Sequence, residues 1–124
     1  MILGIGIDVI EISRIARAAG KAGFLQRVFT EGERSYFCAR NNNPENIAGV
    51  FAAKEAVSKA LGTGFSGGIL LRDIEICHGE SGAPYVSLQG AAKARLAFLG
   101  GTRVHLSISH CKTVAIAQAV IEEG

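Results

Sequence analysis

Three side chains in this 124-residue sequence form a set suited to phosphate chemistry: Asp8 in GIGIDVI, and Glu55 and Lys59 in GVFAAKEAVSKALGTG. Magnesium is commonly held by one or two carboxylates together with substrate phosphates and waters, and a nearby lysine stabilises a departing oxygen. A plainer alternative stands beside this one. Glu55 and Lys59 are four positions apart, which on a helix gives a surface ion pair worth about 0.3–0.5 kcal/mol. Lys54 poses a separate problem. At about 100° per residue it falls in the middle of the face formed by Ile47, Val50, Phe51, Val57 and Leu61. Burying an unpaired ammonium costs several kcal/mol, so Lys54 must snorkel, meet a carboxylate or face a ligand cavity.

Gly62-Thr63-Gly64 closes the same segment, as expected at a helix C-terminus where glycine adopts positive φ without steric cost. The run is no P-loop, because it follows a helix whose negative end repels anions. A phosphate near this turn needs a cation, with Lys59 the nearest, and the glycines supply only access. Gly4-Ile5-Gly6-Ile7-Asp8 likewise lacks the third glycine and the glycine-rich turn of a dinucleotide fingerprint. Ser109-His110 has no nucleophile elbow and no third member, so the pair is not a triad.

These groups need elements to position them. Residues 2 to 9 alternate as a strand, with Leu3, Ile5, Ile7 and Val9 on one side. Ile2, Gly4, Gly6 and Asp8 take the other, where two glycines are expected to leave open volume beside a carboxylate. Residues 12 to 20 read as a helix with an apolar stripe of Ile12, Ile15, Ala16 and Ala19. On another face Arg14, Arg17 and Lys21 make a basic ridge, either a solvated surface or a dock for an acidic partner. Thr30 with Glu33 is a capping box leading into RSYFCAR, and Pro44 suits the first turn of a third helix running from about residue 45 to Leu61. Downstream, Arg72 to His78 and Tyr85 to Leu88 form a hairpin, and residues 90 to 99 form an Ala-rich helix stopped by Gly100-Gly101. A last hairpin pairs residues 104 to 109 with 114 to 121 and turns at His110-Cys111-Lys112. The order strand, three helices, hairpin, helix, hairpin predicts an α+β fold with a mainly antiparallel sheet packed on the long central helix.

Composition removes several classes of function. A formal charge of +2, with no aromatic residues interleaved among basic ones, argues against nucleic-acid binding. No apolar run approaches the roughly 20 residues of a membrane helix, and MILGIGIDVI, with its aspartate and no basic region before it, is unlike a signal peptide. A cytoplasmic protein of one domain, residues 1 to 124, is expected. Cys38, Cys77 and Cys111 are odd in number and lack a CxxC pair, so free, mostly buried thiols are expected in place of disulfides or zinc.

GIGIDVIEISRI, FTEGERSYF, FAAKEAVSKALGTG and SISH, in that order, resemble the holo-acyl-carrier-protein synthase family of 4′-phosphopantetheinyl transferases. The likeness takes in DIEI at residues 73 to 76 and Gly82 with Pro84, and so spans nearly the whole chain. The resemblance implies transfer of phosphopantetheine from coenzyme A to a serine of apo acyl carrier protein, leaving adenosine 3′,5′-bisphosphate. It implies a homotrimer with sites at subunit interfaces. Asp8 and Glu55 would bind Mg²⁺, and Lys59 would contact phosphate and assist the leaving group. Gly62 and Gly64 would let coenzyme A lie against the backbone, while Pro84, Ser109 and His110 would complete its pocket from the neighbouring subunit. Arg14 would meet acidic side chains of the carrier, with Arg17 and Lys21 extending that ridge. Glu55 or a water on the ion would take the serine proton.

Two positions depart from the family pattern: Val50 stands where an arginine usually precedes FAAKEA, removing a cation expected near coenzyme A, and Cys111 replaces the aspartate that commonly follows SISH. Two other classes compete. One is a non-enzymatic trimer binding a small acidic metabolite beside Gly4 and Gly6, and the other is a metal-dependent phosphatase acting on coenzyme A or nucleotides.

Overall fold

The first strand covers its glycines and leaves its large apolar side chains open. In the computed structural model, which describes all 124 residues, this strand is β1 (Ile2–Glu11). It is followed by helices α1 (Ile12–Ala19), α2 (Phe24–Val28), α3 (Glu31–Cys38) and α4 (Pro44–Ala60). Then come a single 3₁₀ turn (Leu71–Asp73), strands β2 (Ile74–His78) and β3 (Pro84–Leu88), helix α5 (Gly90–Leu99), and strands β4 (Gly101–His110) and β5 (Val114–Glu123). The α+β class and the element order stand, with one addition. The five-residue helix α2 makes four helices before the first hairpin, because so short a helix leaves no periodic signal.

Both sheets are antiparallel: β5 lies between β1 and β4 in one, and β2 pairs with β3 in the other. Helix α4 crosses the three-stranded sheet. Its buried Ile47, Val50, Ala53, Ala56 and Val57 join a core with Ala115, Ala117, Ala119 and Ile121 of β5. Small residues on both sides let helix and sheet approach closely, and β1 takes this furthest. A β-carbon at Gly4 would overlap the carbonyl oxygen of Ala60, and one at Gly6 that of Ala56. The volume expected beside these glycines is therefore filled by α4, and the metabolite site placed there does not exist on that side. The opposite face, with Ile5 66% exposed, Ile7 55% and Val9 58%, is open.

The predicted capping box of Thr30 and Glu33 forms at α3, and Pro44 opens α4 as expected; the structure adds an N-cap there, with Asn43 Oδ1 accepting from Glu45 N. Helix α4 ends before Gly62 and Gly64, at φ 85° and 57°. The thiols differ from expectation, since Cys38 and Cys111 are exposed and only Cys77 is partly covered.

Candidate active site

Asp8 lies on the helix side of β1, opposite Ala117 in the sheet, where the glycines let α4 approach. Glu55 sits on the flank of α4, half-buried. Both line one groove of about 660 Å³, whose walls also include Glu11, Arg14, Phe24 and Phe51. Burial pushes the Glu55 carboxyl above its ordinary value; the charge of Asp8 adds to the rise and Lys59 opposes it. Lys59 does not form the helical pair with Glu55. Its Nζ donates across to β1 instead, 3.0 Å from Asp8 Oδ1 and 3.0 Å from Ile7 O. Asp8, Glu55 and Lys59 are thus brought together from a strand and a helix far apart in sequence. No three His, Cys, Asp or Glu side chains gather into a self-sufficient metal cage.

The ridge is only partly regular. Arg14 lines the carboxylate groove, Arg17 is exposed on α1, and Lys21 lies beyond the helix end. Glu11 and Phe24 belong to the groove and were missed. Alternation puts Glu11 on the side away from Asp8, but β1 ends there and the chain turns into α1, while Phe24 rides on α2.

Pro84 and His110 occupy a different cleft, about 250 Å³, with Tyr36, Glu45, Val50 and His78. The Tyr36 and His78 rings stack 3.9 Å apart at 6°, and the Arg40 guanidinium lies 3.7 Å from the Tyr36 centroid. His78 Nδ1 is buried without a hydrogen-bond partner, and burial, followed by the charge of Arg40, lowers its pKa. His110 Nδ1 is 3.5 Å from Glu45 Oε2. The family likeness links Pro84 with His110, but no local pattern links either to Tyr36, Glu45 or His78, which come from separate elements. Ser109 is exposed on the open face of β4, while Gly62 and Gly64 lie past the end of α4. Within one chain, then, the predicted residues fall into separate groups.

Lys54 meets a carboxylate. Fully buried, its Nζ is 2.7 Å from Glu33 Oε1 and donates to Leu71 O at 2.9 Å and Ile74 O at 2.7 Å. Glu33, equally buried, also accepts from Thr30 N and Ile76 N, so one ion pair joins α3, α4 and β2. Burial lowers the Lys54 pKa, and Glu33 opposes the shift. This lysine belongs to the frame and not to the groove.

The sequence and the fold have known counterparts. The sequence model of the 4′-phosphopantetheinyl transferase superfamily matches residues 4–117. A holo-[acyl-carrier-protein] synthase from Clostridium perfringens is 52% identical over 98% of this chain and 95% of its own length. The chain belongs to the holo-acyl-carrier-protein synthase family. Among solved structures of this family, the Helicobacter pylori synthase in complex with coenzyme A is 33% identical, with a TM-score of 0.84 over 95% of this chain and 99% of its own. The Bacillus anthracis synthase, in complex with CoA (3′,5′-ADP), is 40% identical, with a TM-score of 0.81 over 100% of this chain and 99% of its own.

Proposed function

We propose that this synthase-family protein transfers 4′-phosphopantetheine from coenzyme A to a serine hydroxyl of apo acyl carrier protein, releasing adenosine 3′,5′-bisphosphate. The observation that carries this is the meeting of Asp8 and Glu55 in one groove beside Arg14, with Lys59 anchored on Asp8. The two carboxylates are hard oxygen donors lining one groove, and burial and then the charge of Asp8 raise the Glu55 pKa, so Asp8 and Glu55 would hold a divalent cation such as Mg²⁺. Bound there, it would supply neutralisation of charge developing on the pyrophosphate.

The chain's own residues do the rest. Lys59, held by Asp8 and the Ile7 carbonyl, presents an ammonium to the departing phosphate. Glu55, lining the groove, would accept the serine proton. Positioning the serine in line with the pyrophosphate contributes the larger share, since phosphoryl transfer asks little covalent work of a protein.

A homotrimer fits the same reading. Ile5, Ile7 and Val9 expose a row of large apolar side chains on the open face of the sheet, beside Gln118 and Ser109. Such a patch is uncommon on a monomer. Copies seated against it would bring Pro84, Ser109 and His110 of one chain toward the Asp8–Glu55 groove of the next, with Gly62 and Gly64 giving coenzyme A room at the backbone. Analytical ultracentrifugation is expected to give three times the 13.0 kDa chain mass, and a monomer at working concentration would refute this assembly. No helix is long and apolar enough to cross a membrane, and a cytoplasmic location, checked by cell fractionation, completes the proposal.

The groove opens beside Arg14, with Arg17 and Lys21 exposed nearby, which suits an acidic carrier. Arg14→Glu is expected to raise KM for the carrier about tenfold with little change in kcat, and the wild-type rate at low carrier should fall with salt. Salt-independent kinetics would return the ridge to a merely solvated face.

Incubation with coenzyme A, Mg²⁺ and apo carrier, followed by intact mass measurement, tests the whole reading. A phosphopantetheine adduct supports it. Nucleotide release without an adduct selects a phosphatase, and neither product selects a binding protein.

A further inference from the structure

Lys59 is the cation in the last turn of α4, one turn beyond Glu55, yet its hydrogen bonds run to β1: Nζ donates to Asp8 Oδ1 at 3.0 Å and to Ile7 O at 3.0 Å. The lysine side chain is 51% exposed, while the Asp8 side chain that it meets is only 15% exposed, so the pair is screened less than one lying wholly in water. An ammonium has three donors, and two are committed here. The Asp8 carboxylate is also the group that the transfer reading gives to a divalent cation. Asp8, Glu55 and Lys59 together carry one net negative charge, and Glu11 and Arg14 on the same groove cancel each other. A divalent cation held by Asp8 and Glu55 would therefore meet an ammonium already bonded to one of its two ligands, and like charges this close repel. The set would also become net positive. A pyrophosphate offsets both effects, because its oxygens bond the ion and accept from the remaining Lys59 donor.

Resting on the transfer reading above, we propose that Lys59 makes divalent-cation binding depend on coenzyme A: its charge, fixed on Asp8, keeps the affinity of the free protein for the ion low, and the pyrophosphate restores it. The ion and coenzyme A are then positively coupled, each raising the affinity of the protein for the other by the same factor. Lys59 acts on the ion through Asp8 in addition to facing the phosphate.

The test titrates Mn²⁺, which suits the same oxygen donors, into the full chain alone and with saturating coenzyme A, without carrier, and reads the free ion by electron paramagnetic resonance. Coenzyme A should tighten Mn²⁺ binding by the wild type about 30-fold or more. Lys59→Met should bind Mn²⁺ alone about tenfold more tightly than the wild type, while its Kd in the presence of coenzyme A stays within about threefold, so that the enhancement shrinks. Lys59→Arg keeps the charge and should stay within about threefold of the wild type in Mn²⁺ alone. Lys59 is half exposed, so both variants keep the fold. Equal or weaker Mn²⁺ binding by Lys59→Met overturns the proposal, because Lys59 then holds Asp8 ready for the ion instead of opposing it. Tightening in Lys59→Arg equal to that in Lys59→Met overturns it too, since reach and not charge would be the cause. So does a wild type whose Mn²⁺ affinity coenzyme A leaves unchanged. The carrier adduct formed with Mg²⁺ is measured separately: its presence keeps the transfer reading whatever Mn²⁺ shows, and its absence removes that reading while the Mn²⁺ titrations still decide the role of Lys59.

Discussion

Glu55→Gln is expected to lower turnover by about 10²- to 10⁴-fold while leaving the fold intact, because it removes both a proton acceptor and one of two anionic oxygen donors in the groove. The amide nearly preserves shape. It also removes a charge that the folded state holds at a disadvantage, since burial and then Asp8 raise the Glu55 pKa. The sign follows from that direction. A carboxyl whose folded pKa exceeds its unfolded value costs stability on ionising, so the wild type loses this increment as pH rises from the unfolded value through the raised one. Glu55→Gln should lose nothing over that window and should melt at or slightly above the wild-type temperature at neutral pH. Activity runs the other way: protonation removes both a proton acceptor and an oxygen donor, so the wild-type rate should fall as pH drops through the Glu55 pKa. Steady-state kinetics with saturating Mg²⁺, beside a thermal melt, separate the two effects. Near-normal turnover would remove Glu55 from the chemistry.

Lys54→Met should do the reverse, costing about 3–5 kcal/mol of folding stability, since it leaves a buried carboxylate without its counter-charge. The substitution also strips the Lys54 donor from the carbonyls of Leu71 and Ile74. Against the roughly 5–15 kcal/mol typical of a small domain, this is about a fifth of the total or more. Pairing it with Glu33→Gln should recover part of the loss, because the stranded charge is then gone, although Thr30 N and Ile76 N keep an acceptor only if the amide turns its oxygen toward them. Urea denaturation reads the difference. A loss under about 1 kcal/mol would show that Lys54 and Glu33 are not joined as a closed buried pair.

These two neighbours on α4 show how far the sequence can be read. Periodicity placed Lys54 on the apolar face and required it to find a partner, but nothing local named Glu33, which sits 21 residues earlier, on α3. Glu33 was legible only in its local role, as the capping partner of Thr30. The spacing of Glu55 and Lys59 pointed to a pair on one helix, yet Lys59 reaches the Asp8 carboxylate and the Ile7 carbonyl on β1. That choice depends on how closely strand and helix approach. The same contact reversed the reading of β1, whose isoleucines lie open while its glycines are covered.

The amino-acid order by itself determined the helices and hairpins long enough to repeat, the capping box at Thr30, the start of α4 at Pro44, the break at Gly62, and the short candidate set of Asp8, Glu55 and Lys59. Those features follow from backbone and side-chain preferences acting over a few neighbouring residues. Only the tertiary structure decided which side of β1 is buried, which charge Lys59 serves, and that Pro84 and His110 lie in a cleft apart from the carboxylates. Each of these depends on the distance between elements remote in the chain, which packing sets and local spacing does not encode.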